Sequence, residues 1–206
     1  MVLSLDIDCI LNNLVEVVVK HYNLISGDHL RVENITDYSV AKFIKPEYID
    51  QLYLLWTDPL VWHEVEWYVD WVAAMIEHNF AEIYFVTATR PSNIGAKFQL
   101  LYKAIYREVE HMTEQEVKTY VESHLVVCQN KQLIRADVII DDAFENLQLY
   151  RPDVWNILLI KPWNKELAFK YYIDKKRINN LLMCNSIDDI IKCLLLIKEK
   201  EKGDMS

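Results

Sequence analysis

Asp6 and Asp8 stand just after the apolar run 2–5, and Asp141 and Asp142 just after 138–140. Thr87 ends the run 83–86, and Lys131 follows 125–128. Carboxylates brought together repel one another, and a cation is the natural remedy. An oxygen-only ligand set favours Mg²⁺, which takes carboxylates, waters and a substrate phosphate. A lysine charge and a threonine hydroxyl then suit the phosphate, one as counter-charge and one as hydrogen-bond donor. Singly, each signal is weak: an isolated Asp-x-Asp is more often a surface turn, Thr87 could merely end a strand, and lysine is exposed by default. Their shared position at the ends of apolar runs joins them. Thr89 and Arg90 lie close enough to compete with Thr87 or to assist it.

The elements that must position these residues follow from the same runs. The apolar stretches 2–5, 83–86, 125–128, 138–140, 157–160 and 181–184 have strand length. Between them lie helical patterns. Residues 14–22 continue as helix. In 62–79, Trp62, Val65, Val69, Val72, Ala73 and Ile76 share one face of a helix. Pro91-Ser92 starts a helix to about residue 110. Thr113 is an N-cap with Glu116 completing a capping box, and Ser186 caps a last helix over 187–200, followed by a charged, frayed end from Lys198 to Asp204. Strands alternating with helices predict an α/β fold, a parallel sheet covered by helices on both faces, with its ligand at the carboxyl ends of the strands. Residues 24–59 break this rhythm and read as an insertion with its own small helices. The expected division is a core of 1–14 and 80–206, with a mostly helical cap and return helix over 15–79.

Composition narrows the functions. The formal net charge of −9 disfavours binding to extended nucleic acids. With three glycines the chain has neither of the Gly-rich phosphate loops, and its four cysteines form no CxxC pair that would suggest zinc. The start MVLSLDIDCIL has no basic leader, and no apolar stretch reaches membrane-spanning length, so a cytoplasmic protein with free thiols is expected.

Motif by motif, the chain resembles the haloacid-dehalogenase (HAD) phosphatases. Their DxDx[TV][LV] is matched by Asp6-Ile7-Asp8-Cys9-Ile10-Leu11, their strand ending in Ser or Thr by Ile83 to Thr87, their lone lysine by Lys131, and their apolar strand ending in DD by Val138 to Asp142. The order agrees throughout. Within that superfamily the chain is most similar to the 5′(3′)-deoxyribonucleotidases, through DIDCILNNL, through Ile35-Thr36-Asp37-Tyr38, and through KQLIRADVIIDDAFENL with Pro162-Trp163-Asn164 beyond it. The resemblance implies a Rossmann-like HAD core with the helical cap inserted after the first motif. It also implies Asp6 as nucleophile and Asp8 as proton donor and acceptor. Mg²⁺ would be held by Asp6, the backbone carbonyl of Asp8 and Asp141, with Asp142 nearby. Thr87, Ala88 and Lys131 would bind phosphate, and Tyr38 the base. The implied partner is a small nucleotide, with neither a nucleic-acid polymer nor a membrane expected, and a homodimer stays open.

The sequence departs from that family at several points. Cys9 replaces a usual Gly, Ile10 a Val or Thr, Asn13 an Asp, Leu14 a frequent Phe, and Gln129 a basic residue. These changes bear on base preference and affinity rather than on the core chemistry. Trp56, Trp62, Trp67 and Trp71 suggest a base-stacking box, but Trp67 and Trp71, four apart on the expected helix, read first as packing. Cys9 reads as a small buried spacer, and Asp137 as support for its strand. Two other functions stay open: a phosphatase of the same fold acting on another small phosphomonoester, and a binding protein that keeps the fold without turnover.

Overall fold

The computed structural model describes residues 1–173 and 180–203. Six strands, β1 (Val2–Asp6), β2 (Glu82–Thr87), β3 (Leu125–Val127), β4 (Val138–Asp141), β5 (Trp155–Leu159) and β6 (Leu181–Cys184), form one parallel sheet in the order β3-β2-β1-β4-β5-β6. Chain order runs outward from β1 to β3 on one side and from β4 to β6 on the other. The order in which strands are added therefore reverses between β1 and β4, the position at which such folds open a crevice for ligands.

Alternation along the strands sorts their side chains between the two faces. Leu3, Leu5, Ile83, Phe85, Val138, Ile140, Ile157 and Leu159 share a cluster with residues from α4 (Asp70–Glu77), α5 (Ile94–Glu108), α6 (Glu114–His124) and α8 (Ile187–Gly203). Ile139 and Leu158 pack on the other side with Ala168 of α7 (Lys165–Ile173). The expected α/β architecture is present, as is the capping box at Thr113 and Glu116. The charged end continues α8 to Gly203, with the Lys198 ammonium 3.7 Å from the Phe80 ring centroid; its last residue, Asp204, lies outside the described residues.

A helical insertion follows β1. In α1 (Leu14–Ser26), Leu14, Val18 and Tyr22 recur every four residues on a buried stripe, and Gly27 in the left-handed region closes the helix. With α2 (Ile49–Leu55), α3 (Pro59–His63) and the intervening turns, α1 buries a second cluster that includes Ile35, Leu52, Val61 and Trp62. The single helix expected over 62–79 is instead two, α3 and α4, with an extended link between them. That link pairs with the outgoing chain: Tyr68 N donates to Leu11 O at 2.8 Å, Asn13 N to Glu66 O at 3.3 Å, and Asn12 and Trp67 form an antiparallel bridge. The helical spacing merged two apolar stripes with different destinations. Val61, Trp62 and Val65 face the insertion's cluster, whereas Val69, Val72 and Ile76 face the sheet's.

The turn between β1 and α1 is tight. Leu11 N donates to Ile7 O at 2.9 Å, and Asn12 Oδ1 accepts from the backbone N–H groups of Cys9 and Leu14, each at 3.2 Å. Cys9 has φ 64°, the left-handed region that costs an L-residue about 1–2 kcal/mol. A glycine there would relieve that strain and give up a buried side chain worth about 1 kcal/mol, so the two changes offset. Cys9→Gly is expected to shift stability by less than about 1 kcal/mol, and Cys9→Val, β-branched at positive φ, to lose about 2 kcal/mol or more. Urea unfolding midpoints check this; a Gly variant as weak as the Val variant would show that burial of the thiol dominates.

Candidate active site

β1 and β4 are neighbours in parallel register, Leu5 opposite Ile140, so the residues that end them are thrown together. Carboxylate oxygens of Asp6, Asp141 and Asp142 lie within 4.8 Å of one another, and all three residues are buried. Lys131, also buried, places Nζ 2.6 Å from Asp6 Oδ1 and 3.0 Å from Asp141 Oδ2. Asp141 also accepts from Ala143 N at 2.8 Å and from Asn146 Nδ2 at 3.0 Å, and Asp6 from Ile7 N at 2.7 Å. Asp142 Oδ2 accepts from Trp163 Nε1 at 2.7 Å. Next to Trp163, Asn164 donates to the backbone carbonyls of Asp142 and Leu159 and locks the β5–α7 turn against the end of β4.

Asp8 follows on the loop after β1. Its Oδ2 accepts from Lys97 Nζ, which also donates to Thr87 Oγ1 at 2.8 Å. Asp8 Oδ1 is buried with no hydrogen-bond partner among the described residues. Asp6, Asp8, Asp141, Asp142, Thr87 and Lys131, picked out by position in the sequence, thus gather at one end of the sheet. Gln129 donates to Ala88 O at 3.4 Å, beside that group.

Charge excess marks the cluster. Burial, then the neighbouring charge of Asp141, raises the Asp6 carboxyl above its ordinary range despite Lys131. Burial, then Asp141 and Asp6, raises Asp142 despite the Trp163 donor. Lys131 is held above the usual lysine range by Asp6 and Asp141, which outweigh its burial. Oxygen-only donors with more negative charge than one ammonium neutralises suit a hard divalent cation. Asp6, Asp141 and Asp142 are the residues that could hold it.

From this cluster a cavity of about 500 Å³ opens beneath the insertion. Asp8, Asp142, Lys97, Ala88, Thr89 and Arg90 line its polar end, and Leu14, Val15, Val40, Leu52, Tyr53, Trp56 and Trp62 its apolar wall. Tyr38 lines it too. Over half of that residue is exposed, yet burial of its hydroxyl end, followed by the charges of Asp142, Asp6 and Asp141, holds the phenol above its usual range. Arg90 lies 5.7 Å from the Tyr53 ring centroid, spanning core and insertion. Of the four tryptophans, Trp56 and Trp62 reach the cavity; Trp71 is buried with the sheet, and Trp67 forms the bridge to Asn12. Cys9 is buried in the cavity floor, its thiol pushed up by burial and then by Asp142 and Asp8.

Three contributors had no task assigned from sequence, although Asn146 and Trp163 stand in runs that carry the family resemblance. Asn146 and Trp163 are polar contacts made across turns and leave no periodic trace. Lys97 does leave one: with Leu101 and Ile105 it forms an i, i+4, i+8 row on the buried face of α5, so a lysine occupies an apolar stripe.

A family model described as "5′ nucleotidase, deoxy (Pyrimidine), cytosolic type C protein" matches residues 1–184. The 5′(3′)-deoxyribonucleotidase of Clostridium acetobutylicum is 25% identical over 151 residues, covering 72% of this chain and 77% of the relative.

The raised carboxyls set a pH dependence. A carboxyl whose folded pKa exceeds its unfolded value, 3.8 for Asp, makes the native state bind more protons than the unfolded chain between the two values. Stability therefore falls as pH rises through that window. Chelated protein is expected to melt at a higher temperature near pH 5 than near pH 7, and a divalent cation to raise the melting temperature most near pH 7. Thermal unfolding in EDTA across that range checks the sign; a melting temperature that climbs with pH in EDTA would show the cluster already neutralised.

Proposed function

Because this chain belongs to the family of cytosolic type C 5′(3′)-deoxyribonucleotidases, phosphomonoester hydrolases, we propose that it hydrolyses deoxyribonucleoside 5′-monophosphates, pyrimidine ones such as dTMP or dUMP first, through an aspartyl phosphate on Asp6. The observation that carries this reading is the polarity of the cavity, which joins a carboxylate–lysine cluster to an apolar aromatic wall. A ligand with an anionic head and a flat, largely apolar body fits both ends.

Each residue of the polar end has a task in that reaction. Mg²⁺, held by Asp6, Asp141 and the backbone carbonyl of Asp8 with Asp142 beside them, would neutralise part of the phosphoryl charge and let one anion approach another. Asp6 Oδ attacks phosphorus in line as the P–O bond to the sugar breaks. Asp8 gives a proton to the departing sugar oxygen, then takes one from the water that hydrolyses the acyl phosphate and regenerates Asp6. Thr87, the Ala88 backbone and Lys131 hold the equatorial oxygens. Residues 15–79, with Tyr38, Trp56 and Trp62, act as a cap over the base, above a core of 1–14 and 80–206. The cytosolic description of the family supports a cytoplasmic setting.

Phosphate release from a panel of nucleoside and sugar monophosphates tests the substrate. Cleavage of pyrimidine deoxynucleotides should lead the panel, and preference for a sugar phosphate would leave the chemistry and remove the base assignment. Activity should vanish on chelation and return with Mg²⁺; full turnover after chelation would sink the metal reading. Asp6→Asn should abolish phosphoenzyme, since an amide cannot become an acyl phosphate. Asp8→Asn should lower kcat/KM for a nucleotide by about 10²–10⁴-fold and for p-nitrophenyl phosphate far less, because p-nitrophenolate leaves without a proton. Equal losses would remove Asp8 as the acid.

A further inference from the structure

Lys97 is the second buried ammonium of the site, and the mechanism above gives it no task. It is 3% exposed, at the fourth position of α5, and lies 89 residues along the chain from Asp8, which it touches. A lysine ammonium has three hydrogens to place. One goes to Asp8 Oδ2 and one to Thr87 Oγ1 at 2.8 Å. The ammonium also lies 5.7 Å from the ring centroid of Trp62, within cation–π range. Asp8 stands on the loop after β1, Thr87 ends β2 and Trp62 belongs to the insertion, so one nitrogen joins three parts of the molecule.

This matters because Asp8 is otherwise weakly held. Among the described residues its Oδ2 has only Lys97 as a hydrogen-bond partner and its Oδ1 has none, although that atom is buried. A carboxyl with one oxygen fixed and the other free presents a single oxygen for proton transfer. Without the clamp, Asp8 can rotate about its side-chain bonds, and general-acid catalysis depends on hydrogen-bond reach to the departing atom. We propose that Lys97 is a positioning residue that orients Asp8 for proton transfer to the leaving group and, through Trp62, ties that orientation to the placement of the insertion. The proposal rests on the phosphohydrolase reading and goes beyond it, since Lys97 acts through Asp8 rather than on the phosphate.

The test is a leaving-group comparison in Lys97→Met, Lys97→Gln and Trp62→Leu. Wild-type kcat/KM is measured first on p-nitrophenyl phosphate and on the alkyl phosphate the panel shows to be cleaved fastest. The ratio of kcat/KM for the two esters does not depend on how much of a variant is folded, so a destabilised variant still reports. This parameter covers steps up to phosphoryl transfer and leaves out hydrolysis of the phosphoenzyme. Loss of the Thr87 contact lowers both esters together, whereas disordering Asp8 lowers only the one that needs a proton. Both Lys97 variants are expected to shift the ratio against the alkyl phosphate by about tenfold or more. Trp62→Leu is expected to shift it the same way by about two- to fivefold, the size of one exposed-to-partly-buried cation–π contact. An unchanged ratio in the Lys97 variants overturns the proposal and leaves the phosphohydrolase reading standing. An unchanged ratio in Trp62→Leu alone overturns the link to the insertion. Wild-type protein inactive on both esters with Mg²⁺ overturns the phosphohydrolase reading and this inference with it.

Discussion

Three buried carboxylates whose oxygens lie within 4.8 Å of one another repel by about 3 kcal/mol per pair even at an effective dielectric of about 20. Removing each from water costs several kcal/mol more before any partner is counted. Much of the surrounding structure answers that constraint. Lys131 bridges Asp6 and Asp141, backbone N–H groups of Ile7 and Ala143 point at the same two residues, Asn146 donates to Asp141, and Trp163 donates to Asp142. These donors satisfy lone pairs without balancing the charge, since among the described residues Lys131 is the one ammonium paired with the cluster, and it touches Asp6 and Asp141. The upward shifts of Asp6 and Asp142 express the remainder, and a divalent cation is the group whose charge and ligand preference match it.

Such a concentration of charge needs a scaffold that does not relax away from it. β1 and β4 supply that scaffold because they are central and adjacent, and Leu3, Leu5, Val138 and Ile140 are fully buried. Parallel pairing puts both carboxyl ends on the same edge, so two chain segments about 135 residues apart deliver their acids to one point. The β5–α7 turn then locks the end of β4 through Asn164, and Asn12 locks the turn after β1. Cys9 keeps a left-handed backbone in that turn, which shows the loop geometry being held by its surroundings rather than by the residue's own preference.

The insertion solves a separate problem. Its helices are too short to persist alone, and they become stable by sharing a cluster that reaches down to Cys9 and Trp163. The same packing leaves an apolar wall facing the acids across the cavity. Chain enters and leaves the insertion side by side, through the pairing of residues 11–13 with 66–68, so its two ends are fixed relative to the sheet by a few hydrogen bonds. Arg90 against Tyr53 and Lys97 against Trp62 add contacts between core and insertion at the cavity.

The sequence alone determined what depends on neighbours along the chain. Apolar runs of strand length, helix caps such as Thr113 and Ser186, and polar residues immediately after a strand are local, and in a parallel sheet the residue after a strand is already at the ligand edge. That is why Asp6, Asp8, Thr87, Lys131, Asp141 and Asp142 were legible. Only the tertiary structure decided what depends on reach. Lys97 meets Asp8 across 89 residues, and Trp163 meets Asp142 across 21; periodicity puts Lys97 on the buried face of α5 but does not name its partner, and it leaves no trace of Trp163. The expected helix over 62–79 failed for the same reason: two apolar stripes in helical register look continuous in sequence, and only the packing of Trp62 into one cluster and Val72 into another required the chain to break between them.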